Sequence, residues 1–235
     1  MNCMKTVIIA CHTLKDELNS AIQEADCPFP VLWIESGLHL YTDTLNKRLQ
    51  QELARITNVD RILLAFGYCG NSLLGLTSPH AQLVFPCVDD CISLLLGSQH
   101  ARKKISEEMG TYYLTKGWLE FESNIWQEYQ YAVKRYGKEK AERLFRQILN
   151  HYHRLAVIDT GAYEIADFLE LTEKIAATLK LSHQIIPGST SYLKKLLTGP
   201  WDDEFVIVPP GEIVTLTHLC HDTNEPLWQI IGMSQ

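Results

Sequence analysis

The sequence predicts an α/β protein: a mostly parallel sheet with helices on both faces, arranged as two similar Rossmann-like halves with a cleft between them. Three observations carry this. Short apolar runs at residues 62–66 and 82–85 lack the alternation of a half-exposed strand, so they read as strands buried on both faces, as in parallel sheets. Each runs into Gly or Pro and then into a helical apolar pattern, the signature of a βα unit. Finally, RILLAFGYCGN at 61–71 resembles RLAVIDTGAYE at 154–164, and QLVFPCVDDCISLLL at 82–96 resembles HQIIPGSTSYLKKLL at 183–197. A duplication would explain both pairs, as would the patterning that βα units of one sheet class share.

Taken in order, residues 5–10 (KTVIIA) read as a first buried strand and 13–23 as a helix that Thr13 can cap. Residues 30–35 (PVLWIE) form a second strand, followed by Ser36-Gly37-Leu38-His39. A helix over 42–56 then carries leucines at 45, 49 and 53 on one face. Residues 61–66 and 82–85 are the third and fourth strands, with a helix from about 88 to 96 after the latter. The polar, basic stretch 97–110 reads as a connection. Residues 110–114 (GTYYL) are a fifth strand, and 121–152 is a helical region broken at Tyr136-Gly137-Lys138. Strands at 154–159, 183–186 and 204–208 alternate with helices at 162–179 and 189–197; the tail from 212 to 235 has no regular pattern. The expected division is a first half over 1–108 and a second over 109–235, the latter holding the helical insertion 121–152 and the tail.

Composition narrows the function. A chain of 235 residues with 46 % hydrophobic content buries a sizeable core without disulfides. A formal charge of −7 and no dense Lys/Arg cluster argue against a nucleic-acid partner, whose phosphates demand neutralisation. No apolar run approaches the ~20 residues that cross a bilayer, and the first residues lack the pattern of a signal peptide. The expected location is the cytoplasm. There, seven cysteines suggest metal binding or catalysis rather than disulfides.

In an open α/β sheet ligands bind beyond the carboxyl ends of the strands. Cys11, His39, Cys69 and Cys91 follow the first, second, third and fourth strands, so they form the candidate metal set: a tetrahedral Zn²⁺ site, or thiolates holding an iron-sulfur cluster. Asp90 is the candidate acid/base or supporting carboxylate. Gly67, Gly70 and Asn71 are candidate cofactor-binding positions; the two glycines, lacking Cβ, let the backbone approach a ligand closely. Cys87 is expected at the start of the following helix, where the dipole favours a thiolate, and to share a face with Cys91. No Walker loop, GxGxxG, GxSxG or HExxH string occurs.

The strings GLH at 37–39, GYCGNSLLGL at 67–76, the run from Pro86 to Ser98 and GTYYLTKGW at 110–118 resemble a prokaryotic family of domains of unknown function, number 1638. The resemblance implies that Cys11, His39, Cys69, Asp90 and Cys91 match recurrent positions, whereas Cys87 stands where arginine is usual. It also implies a setting beside corrinoid-dependent methyltransferase systems of anaerobes, with components of those systems as expected partners besides a small molecule. The chain lacks the DxHxxG string of a corrinoid carrier. Three functions remain open: a metal or iron-sulfur protein acting on a small molecule or cofactor, an accessory protein that binds or delivers a metal or cofactor, and a thiol redox protein.

Overall fold

A computed structural model describes residues 4–38, 41–121 and 124–219. Its strands are β1 (Thr6–Cys11), β2 (Val31–Ile34), β3 (Arg61–Ala65), β4 (Gln82–Pro86), β5 (Thr111–Leu114), β6 (Arg154–Asp159), β7 (Ser182–Pro187) and β8 (Phe205–Val208). They form a five-stranded sheet in the order β2-β1-β3-β4-β8 and a three-stranded sheet in the order β5-β6-β7. All pairs are parallel except β4 with β8. The α/β, mostly parallel class expected from the apolar runs is therefore what the chain forms.

Helices α1 (Lys15–Glu24), α2 (Thr42–Arg55), α3 (Cys91–Leu95) and α4 (Gln99–Glu108) belong to the first half of the chain. They are followed by α5 (Lys116–Phe121), α6 (Ile125–Tyr136), α7 (Lys138–Ile148), α8 (Leu169–Leu179), α9 (Ser191–Thr198) and α10 (Leu216–Leu219). Successive side chains of a strand face opposite ways, and β1 shows the result. Ile8 and Ala10 join Leu63, Val84 and the helix residues Leu18 and Leu193 on one face; Ile9 and Cys11 join Leu64, Phe85 and the α2 leucines 45, 49 and 53 on the other. The second sheet turns Ala156 and Ile158 toward the first of these cores and Leu155 and Val157 toward a third, roofed by α6, α7 and α8.

Two features differ from the expected division of the chain. Strand β8, in the half expected to begin at residue 109, returns to the first sheet and pairs antiparallel with β4, Leu83 opposite Val208. Helix α9 lies against α1 and contacts β3 and β4. Both moves bury apolar positions: Val206 and Val208 in the α2-side core, Leu193 and Leu196 in the other. The stretch 97–110, expected as a polar connection, instead contains α4, whose N-terminus is capped by Ser98 Oγ accepting from the Ala101 N–H at 3.0 Å. No helix among the described residues is long and apolar enough to cross a membrane.

Candidate functional site

The order β2-β1-β3-β4 places β1 and β3 side by side with their crossovers departing in opposite directions, the switch point at which open sheets leave a crevice beyond their carboxyl ends. A cavity of about 320 Å³ occupies this place. Cys11, Cys69, Asp90 and Cys91 line it from the first sheet, and Tyr112, Tyr113, Trp118 and Tyr152 line it from the second-sheet side.

Two backbone hydrogen bonds tie the loops after β3 and β4 together. Tyr68 N–H donates to Val88 O at 2.9 Å and Cys69 N–H to Asp89 O at 2.7 Å. Gly67 makes this possible, because a Cβ there would collide with the Asp90 backbone. The close approach inferred for Gly67 is thus to the neighbouring loop. Beyond it the chain turns through Cys69, Gly70 and Asn71, with φ of 43°, 65° and 71°. Two of these three are non-glycine residues in the left-handed region, a conformation that costs of order 1–3 kcal/mol and persists only where the surroundings impose it. Gly70 and Asn71 are exposed, and neither lines the cavity among the described residues.

The thiols reach the cavity from different sides. Cys11 ends β1 on the face covered by α2, and its sulfur lies 2.9 Å from Thr13 Oγ1. Cys91 begins α3 in the core on the opposite face, and Cys69 touches both cores. The Cys91 thiol is held well above its usual pKa, first by its hydrogen bond to Cys69 and then by burial. No group of three or more His, Cys, Asp or Glu side chains among the described residues is placed to hold a metal ion. His39, the fourth candidate ligand, lies outside the described residues.

Asp90 is the N-cap of α3, with Oδ1 accepting from the Ser93 N–H at 2.9 Å. Its Oδ2 lies 2.8 Å from Arg102 Nη1, so α4 delivers a cation to the cavity wall. Capping and pairing occupy both oxygens of the carboxylate expected as an acid or base. Arg102 had no sequence signal, because it sits in a segment read as a connection. Glu35 and Glu128 stand at the rim, both exposed; Glu35 is paired with Arg48 at 3.2 Å.

The expectation for Cys87 is corrected. The helix starts about three residues later than expected, at Cys91, because Asp90 caps it there; Cys87 therefore shares no helical face with Cys91 and does not sit at the helix N-terminus. Its N–H donates to Glu204 O at 2.8 Å, and burial pushes its thiol up to about 11, against the hydrogen bond from Tyr68. Cys87 does not line the cavity.

Fold and site together define a class: an α/β protein whose two sheets face each other across a thiol-lined cleft at a topological switch point. Residues 33–197 match the family described as "Protein of unknown function (DUF1638)", and the chain belongs to that family. No curated protein and no solved structure matches it.

Proposed function

We propose that Cys11, Cys69 and Cys91 hold an iron-sulfur cluster at the base of the cleft, where it acts on a small molecule. The observation that carries this is the arrival of three thiols that form no disulfide, from the carboxyl ends of three adjacent parallel strands, at one cavity. Cys11 and Cys91 leave the sheet on opposite faces with Cys69 between them, a spread that suits a cluster bridging several irons better than one zinc ion with bonds of about 2.3 Å. Three protein thiolates leave one iron open for chemistry. His39 would be the fourth ligand only of the alternative zinc site, and it lies outside the described residues. The small cavity sets the scale of the molecule acted on, and a corrinoid-dependent methyltransferase system is the setting the family resemblance suggests, with its components as partners. Iron and acid-labile sulfide analysis of anaerobically purified protein tests the proposal: stoichiometric iron and sulfide support it, and neither above background contradicts it.

A second reading has one observation in its favour. The Cys91 thiol hydrogen-bonds to Cys69 across the ends of neighbouring strands, the arrangement a dithiol redox pair needs. Reversible loss of two titratable thiols on mild oxidation of metal-free protein would support it, and tightly bound iron would sink it.

A further inference from the structure

The wall of the cleft opposite the thiols has a different chemistry. Four aromatic side chains, Tyr112, Tyr113, Trp118 and Tyr152, line it. Tyr112 and Tyr152 meet edge to face, with ring centroids 5.7 Å apart and planes at 74°, so they form a corner rather than a stack. Around this corner the charges are nearly all spoken for: Arg102 by Asp90 at 2.8 Å and Glu35 by Arg48 at 3.2 Å. Glu128, in the first turn of α6, is a lining carboxylate with no ion pair among the described residues. Among the described residues the wall therefore offers aromatic surface and one negative charge outside any ion pair, while the one cation there is already paired.

Resting on the reading of this cleft as a ligand site, we infer that it takes a small alkylated ammonium cation, a charge wrapped in methyl groups. An aromatic ring presents negative potential on its face and attracts a cation within about 6 Å, most strongly when the cation sheds little hydration on entry. A quaternary ammonium meets that condition; a bare ammonium or a metal ion holds its water more tightly. An anion would meet Glu128 and an Arg102 already engaged by Asp90. A volume of about 320 Å³ lies at the small end of ligand cavities, roughly 300–1,000 Å³, which suits a molecule of this size.

Calorimetric titration of the full chain with three probes of one shape tests this: tetramethylammonium, neutral neopentyl alcohol and anionic pivalate. Tetramethylammonium is expected to bind saturably, with the alcohol roughly tenfold weaker and pivalate weaker still. Tyr152→Leu and Glu128→Gln are each expected to weaken the cation by roughly three- to tenfold. Both residues are exposed, so neither change opens the core. Equal affinity for alcohol and cation would overturn the inference, as would tighter binding of pivalate or no saturable heat with the cation. Iron and sulfide are measured on the same samples. Cation binding without iron would leave this site standing and remove the cluster, and iron without cation binding would do the reverse.

Discussion

The buried Cys91 thiol shares a side-chain hydrogen bond with Cys69, the residue that turns the chain at the end of the neighbouring strand with φ of 43°. One sulfur is fixed by a helix start and the other by a strained turn, and the two loops are stitched by the bonds from Tyr68 and Cys69 to Val88 and Asp89. The site's geometry is thus set by backbone, which makes it sensitive to changes that touch no thiol.

Gly67→Ala is the sharpest of these. The added methyl group meets the Asp90 backbone, which has no flexible end to move away, so the two loops must separate. A loss of roughly 1–3 kcal/mol is expected by chemical denaturation. Gly75→Ala is the control: its φ of 81° imposes strain, but nothing lies within 4 Å of the new atom, so it should leave the loop pair intact.

Asp90 separates capping from charge. Asp90→Asn keeps a side-chain oxygen for the Ser93 N–H but loses the pair with Arg102, whereas Asp90→Ala loses both. Since the pair is about a third exposed, the Asn variant should cost well under about 1 kcal/mol and the Ala variant about 1 kcal/mol more. Thermal unfolding of the two variants side by side checks the order.

Glu17 on α1 should make stability depend on pH. It is fully buried, and burial, opposed by its own backbone N–H and reinforced by Asp16, pushes its carboxyl from 4.5 up to about 7. A carboxyl raised on folding binds more protons folded than unfolded between those values. Its effect is therefore a stability that falls as pH rises from about 4.5 to about 7 and levels off above, by at most roughly 3 kcal/mol. Glu17→Gln should remove that slope, leaving stability near pH 4.5 almost unchanged and raising it at pH 8. Urea melts across this range decide it, and an unaltered slope in the variant would contradict the assignment.

Why some of this was legible in the sequence and some was not has physical reasons. Each strand was readable because its residues are buried on both faces or bounded by Gly and Pro, and the meeting of Cys11, Cys69 and Cys91 at one cavity followed from parallel strands sharing one carboxyl edge. Helix α4 was not, because its ten residues QHARKKISEE carry no apolar face beyond Ala101 and Ile105; the Ser98 cap was its one local signal. The return of β8 to β4 is a pairing between residues more than a hundred apart, and no local pattern encodes it. The aromatic wall was equally hidden, since Tyr112 and Tyr152 meet only through the parallel pairing of β5 with β6. Cys87 was misread because the proline before it looked like a helix start, when Asp90 supplies the cap.

The central claim is that three thiols from adjacent strands hold one cluster, and anaerobic iron and sulfide analysis of single cysteine variants tests it most directly. Stoichiometric iron and sulfide in the wild-type protein, retained in Cys27→Ser and sharply lowered in Cys11→Ser, Cys69→Ser and Cys91→Ser, is the predicted result. Iron at background level in the wild type, or equal loading in Cys27→Ser and Cys69→Ser, would contradict it.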